Sequence, residues 1–305
     1  MALVGQPDPA IHRRRIRSEL RKARESAGLT QRDVAGEMDW SLSKLIRIET
    51  GAVSIATNDL RALLNHYGMT DSARVNDLVQ IARASRERSW WSSFKEVASP
   101  EYVAYLGYES SASIIRNFEP LLIPGLLQTE EYAREVISTF GGQDTRSVDA
   151  LVDLRMERQE LLSREAPPTL HFILDEAVVR RVVGGPAVMR RQLLKLLETG
   201  QHDNIIIRII PFTVGMYPRL RVPYVLFEFP EANDEDVLYI ENPQGEMLIR
   251  ENSPEEEEAM TPIVYLGVFW QLEQIGRRGQ ATGIIEDALA GLAGLEEESA
   301  PPLEA

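Results

Sequence analysis

The chain contains no cysteine, which excludes disulfides and thiolate-bound metals from its chemistry. Its four histidines, His12, His66, His171 and His202, never fall at ligand spacing, so neither a metal nor another cofactor is expected. No stretch approaches the ~20 apolar residues of a membrane-spanning helix. The opening Met-Ala-Leu-Val-Gly-Gln-Pro lacks the basic start and apolar core of a secretion signal, and a cytoplasmic location is expected. Lysine is scarce, with 4 against 29 arginines. GC-rich coding produces such a ratio by itself, so only the places where arginine clusters carry information. Ser41-Leu42-Ser43-Lys44 matches a Ser-x-x-Lys nucleophile pattern, but it lies in a helical pattern of another kind and no partner motif follows. With neither a nucleophile and base nor a metal set, the chain is not read as an enzyme.

What is present divides in two. The 305 residues, 44% hydrophobic, exceed what one core usually holds. The net charge of −14 hides opposite halves: residues 1–88 carry 15 Lys/Arg against 11 Asp/Glu, whereas residues 89–305 carry 18 against 36. Only the first part suits a polyanion. Within it Arg13, Arg14, Arg15, Arg17, Arg21, Lys22 and Arg24 are opposed only by Glu19 and Glu25.

Residues 29–51 hold two short helical patterns separated by a tight turn. Thr30 caps the first, with Asp33 three residues on, and Val34, Ala35 and Met38 make its inner face. Ala35 is small where the second helix crosses. Ser41 caps the second, whose Leu45 and Ile48 face inward and leave Leu42, Ser43, Lys44 and Arg47 on the opposite face. This is a helix-turn-helix, and a major groove would meet that outer face. One helix over residues 11–27, ended by Gly28, precedes it. A fourth, capped by Thr57, runs through His66 to Gly68, and a fifth runs from Thr70 or Asp71 to Arg86.

The remaining chain changes character. Helical patterns cover 100–107, 108–118, 129–140 and 145–164, with the turn Glu-Pro-Leu-Leu-Ile-Pro-Gly-Leu-Leu-Gln-Thr between the second and third. Gly after Pro ahead of a capped helix is first of all turn chemistry, although a ligand loop has the same composition. Strand and helix then alternate: strands at 169–174, 204–211, 222–229, 237–241 and 246–249, helices at 175–183 and up to 198. Ser253-Pro254 begins a further helix whose Glu255–Glu258 complement its dipole. The fold class expected is α+β, a five-helix bundle followed by a mixed α/β domain with helices before and after its strands. The expected division is a flexible arm (1–10), a DNA-binding domain (11–88), an aromatic connector carrying Trp90, Trp91 and Phe94 (89–99), a regulatory or interaction domain (100–294) and a disordered acidic tail (295–305).

The first 85 residues resemble the XRE, lambda- and 434-repressor-like helix-turn-helix domain. The rest resembles the C-terminal domain of unknown function in WhiJ-like, antitoxin-like regulators of filamentous actinobacteria. The second resemblance rests on Trp90-Trp91, Tyr105-Leu106-Gly107-Tyr108-Glu109, Phe118-Glu119, Pro124-Gly125-Leu126-Leu127-Gln128-Thr129, Tyr132-Ala133, Glu157-Arg158-Gln159, Asp175-Glu176-Ala177, Val183-Gly184-Gly185, Gln192-Leu193, Pro211-Phe212 with Gly215, and Tyr239-Ile240-Glu241. Two places depart from it. Asp39 stands at a turn position usually held by Gly, which Asp tolerates, and Arg219-Leu220-Arg221-Val222 replaces a Gly-containing loop. The resemblance implies a small partner protein encoded alongside.

These readings converge on a regulator that binds double-stranded DNA as a homodimer. Ser43, Lys44 and Arg47 are expected at base edges, Arg47 at a guanine, with Ser41 and Leu42 beside them. Gln31, Arg13, Arg14 and Arg17 are expected at phosphates. Asp175, Glu176 and Glu241 are read as ordinary exposed carboxylates rather than a pocket. Two other readings remain open: an antitoxin-like protein that neutralises its neighbour-encoded partner, and a regulator whose C-terminal domain senses a small molecule.

Overall fold

The computed structural model describes residues 9–51, 53–87, 89–94, 96–140, 145–230, 235–242, 245–250, 260–276 and 278–298. In sequence the chain divides at Ser92 into two compact units.

The first unit is a bundle of five helices, α1 (Pro9–Ser26), α2 (Gln31–Glu37), α3 (Leu42–Glu49), α4 (Thr57–His66) and α5 (Ser72–Ala84). Their apolar stripes close on one core of Ile16, Leu20, Val34, Ala35, Leu45, Ile48, Leu60, Leu63, Leu64, Leu78 and Val79. α1 starts at Pro9, so the flexible arm expected through residue 10 gives way there, where proline is pre-set for a first turn; residues 1–8 lie outside the described residues. The expected Thr57 cap is not made. Ala56 holds the cap position without a side-chain bond, whereas Asp71 does cap α5 by accepting from the amides of Ala73 and Arg74.

The second unit is built on a six-stranded sheet in the order β3-β2-β1-β4-β5-β6, from β1 (Ile114–Glu119), β2 (Thr169–Asp175), β3 (Ile205–Ile210), β4 (Tyr224–Glu228), β5 (Val237–Asn242) and β6 (Gly245–Arg250). β1, β2 and β3 run parallel, while β1–β4, β4–β5 and β5–β6 are antiparallel. The helices are α6 (Pro100–Ser111), α7 (Glu130–Phe140), α8 (Thr145–Arg158), α9 (Glu176–Arg180), α10 (Pro186–Thr199), α11 (Pro262–Ile275) and α12 (Arg278–Glu298). Phe118, Tyr224, Leu226 and Ile240 of the sheet form one core with Tyr265, Phe269 and Leu272 of α11. The molecule is thus α+β.

One element is of a different type from the sequence expectation. The helix predicted over 108–118 is the end of α6 followed by β1. β1 is a central strand, buried at four consecutive positions, so its residues lack the alternation that marks a half-exposed strand. α12 continues through residue 298, which removes the start of the expected disordered tail, and Ser253–Glu258 lie outside the described residues. Among the described residues no helix is long and apolar enough to cross a membrane.

Candidate nucleic-acid interface

The turn between α2 and α3 follows from local chemistry. Thr30 and Asp33 form a reciprocal capping box, the Ser41 side chain accepts from the Lys44 amide, and Asp39 between them takes the left-handed conformation at φ 53°. The angle at which α3 leaves is then fixed by Glu49, a carboxylate only 1% exposed at its last turn. Arg24 of α1 donates to both Glu49 oxygens, at 2.8 and 3.2 Å. Gln31 of α2 donates to Oε2 at 2.7 Å. Arg17 donates to the Glu49 carbonyl at 3.3 Å, and lies so close to Gly51 (φ 77°) that a Cβ there would stand 2.5 Å from its Cδ. Three helices therefore converge on one buried anion. The sequence carries a signal for it in Glu49 itself: an acid at a position on the inner face of α3 has to find a cation.

Seen from outside, α3 presents Ser43, Ile46 and Arg47, all exposed, and among the described residues the Arg47 side chain has no hydrogen-bond or ion-pair partner, its carbonyl alone accepting from Thr50 and Val53. The other residues expected here are placed differently. Leu42 packs against the core, and Ile46, 38% exposed, occupies the outer stripe instead. Lys44 donates to Asp59 at 2.9 Å and sits 3.7 Å over the Trp40 ring. Gln31 is engaged by Glu49 through its amide nitrogen, which leaves its oxygen. Of the α1 arginines, Arg14 is buried at 9% exposure, Arg13 donates to Ser89 at 2.6 Å and Arg15 pairs with Asp77 of α5. The basic run of α1 thus serves largely to tie that helix to its neighbours within the first unit.

In the second unit, motifs scattered along the sequence meet around the turn at 123–129. Gln128, 2% exposed, donates to the Ile123 carbonyl at 2.7 Å and accepts from Arg155. Gln159 donates to the carbonyls of Gly125 and Gln128, Gln192 to that of Leu127, and Lys195 to that of Gln128. The carbonyls of Ile123, Gly125, Leu127 and Gln128 are thus all taken from within, the arrangement of a fixed structural turn.

Beside it, at the carboxyl end of β1, Glu119 is half-buried. Burial, reinforced by Glu241, pushes its carboxyl up to about 8 against the opposing pull of Arg155. Burial and then Glu246 push Glu241 in the same direction. On the same sheet face, Asn117 Oδ1 is buried with no hydrogen-bond partner among the described residues, as is the Arg155 Nε. The folded chain keeps a proton on Glu119 that the unfolded chain releases near ~4.3. The stability this provides is complete below that value and is lost as pH rises toward about 8. Glu119→Gln cannot ionise, so its melting temperature is expected to fall less than that of the wild type across this window. A difference between the two chains that does not change with pH would show Glu119 ionising freely.

Among the described residues no cluster of His, Asp and Glu is arranged to hold a metal. Leu121 and Phe212, on turns following β1 and β3, and Met216 beyond them are 53%, 58% and 80% exposed. A family model described as a helix-turn-helix domain matches residues 15–78. A second, described as a domain of unknown function (DUF5753), matches residues 102–258. No curated protein and no solved structure matches the chain.

Proposed function

Because the chain belongs to the DUF5753 family, whose model covers more than half of it, and carries a helix-turn-helix domain ahead of that region, we propose that it is a sequence-specific DNA-binding transcriptional regulator of the XRE, WhiJ-like kind. The observation that carries this reading is the outer stripe of α3, Ser43, Ile46 and Arg47, on the second helix of the motif in a unit of net positive balance. Placed in a major groove, Arg47 pairs with guanine O6 and N7, Ile46 meets a thymine methyl and Ser43 takes a neighbouring base edge. Lys44 exchanges Asp59 for a phosphate. Such a domain covers one half-site, so the regulator acts as a dimer.

The second unit supplies the input. The balance of 18 basic to 36 acidic residues from residue 89 onward opposes DNA contact there and favours a basic partner surface, in keeping with a small neighbour-encoded protein. A small-molecule input is the second reading, favoured by the unpaired Asn117 and Arg155 atoms beside Glu119 at the carboxyl end of a strand whose two neighbours run in opposite directions.

Arg47→Ala is expected to weaken operator binding by ~1–3 kcal/mol and to relax preference at one base pair. The measurement is titration of both chains against genome-mapped sites varied one base at a time. An equal loss on every sequence would place Arg47 at a phosphate.

A further inference from the structure

The residues of α11 divide by environment more sharply than its composition suggests. Tyr265, Phe269 and Leu272 are fully buried against the sheet. Glu273, the helix's single charged residue, is turned inward, 2.9 Å from His171 and 3.8–3.9 Å from Arg208 and Arg116. The opposite face carries Ile263 (63% exposed), Val264 (37%) and Trp270 (53%), with Gly267 between them and the uncharged Gln271 and Gln274 beyond. Positions 263, 267, 270 and 274 share one helical face, so Ile263 and Trp270, with Val264 at the edge, lie on one uncharged stripe rather than as scattered surface hydrophobics.

We infer that this face of α11 docks on the same face of a second copy of the chain, the two helices crossing antiparallel at Gly267. Charge selects the occupant. The region from residue 89 onward carries twice as many acidic as basic residues, so two copies repel one another through most of their surface and approach at least cost where neither is charged. A basic partner protein would gain nothing from an uncharged stripe. The residue pattern is also self-complementary, as a two-fold contact requires. Ile263 and Val264 stand about one turn before Gly267 and Trp270 about one turn after it, so antiparallel pairing sets each Trp270 on the other copy's Ile263 and Val264. A Cβ on Gly267 would meet nothing within 4 Å in its own chain. The space beside it is open for a second backbone, and small residues at the crossing point set how closely two helices approach. The inference deepens the DNA-binding reading, because it supplies the pairing that two half-sites require, but the contact itself does not depend on DNA.

The test is sedimentation of the full chain with Trp270→Glu and Gly267→Leu. Leucine at 267 points into that open space and is the better helix former, so the fold should survive, which melting and circular dichroism check. Expected is a wild-type dimer whose dissociation constant rises on the order of tenfold or more in both variants, as for loss of a central aromatic anchor or close crossing. Binding to a single half-site should be unchanged, with weaker binding to the paired operator. A monomeric wild type, or variants that dimerise like it, overturns the inference. Dissociation by Met216→Asp but not by Trp270→Glu also overturns it and moves the contact to the strand ends. A dimer that binds no DNA would instead sink the regulator reading and leave this one standing.

Discussion

Replacing Glu49 by alanine is expected to destabilise the first unit by about 3–5 kcal/mol, the range for removing one partner of a buried ion pair, and to abolish operator binding with it. Glu49 is 1% exposed, and its carboxylate accepts from Nε and Nη2 of Arg24 and from the side-chain amide of Gln31. Without it the Arg24 guanidinium, itself largely buried, keeps its charge with only the solvent-exposed Glu25 at 3.5 Å against it, and the carboxylate link of α3 to α1 and α2 is lost. Glu49→Gln keeps the shape and one acceptor, so it should lose less stability. Its expected signature is a loss of affinity that is uniform across operator sequences, because the whole recognition helix shifts rather than one base contact. Hydrogen exchange of the α2 and α3 amides, compared with those of the second unit, reads the stability change locally. Unaltered protection in Glu49→Ala would show that core packing alone orients α3.

The bundle was legible because its signals are local. Thr30 with Asp33, Ser41, Asp39 at the turn, and Gly28, Gly51 and Gly68 with positive φ each act within about four residues, the range over which capping and turn chemistry operate. Reading failed where partners are distant. Ile114–Glu119 passes for helix until β2, 55 residues later, pairs with it. Leu42 looks outward by helical spacing, yet the core reaches it. The placement of Lys44 depends on Asp59, and that of Gln31 on Glu49. In the second unit, Gln128, Arg158, Gln159 and Gln192 were visible as motif residues, but their common purpose, holding the 123–129 turn and bracing the helices around it, is a property of the folded arrangement. Arg219 illustrates the same limit. Its departure from a glycine was evident in sequence; its φ of 61° and its guanidinium 4.5 Å over the Tyr265 ring were not.

Arg158→Ala is expected to cost the second unit about 3–5 kcal/mol, again by stranding a buried charge. Arg158 and Glu109 are 6% and 3% exposed. The guanidinium donates to both carboxylate oxygens, at 2.9 and 2.7 Å, and also to the hydroxyls of Tyr105 and Tyr102, whose rings lie parallel 5.5 Å apart. Tyr105 in turn donates to Glu109 at 2.9 Å. Four of the five guanidinium N–H groups and both carboxylate oxygens are thereby engaged, and α6 is locked to α8. Much of the cost of the single change is the carboxylate it abandons, so the paired replacement Glu109→Leu with Arg158→Met should recover most of the lost stability, since apolar residues of similar size avoid the desolvation of both ions. A double-mutant cycle by denaturant unfolding measures this. Two single losses that simply add would show that Arg158 and Glu109 act independently, and that the stacked tyrosines rather than the ion pair hold α6 against α8.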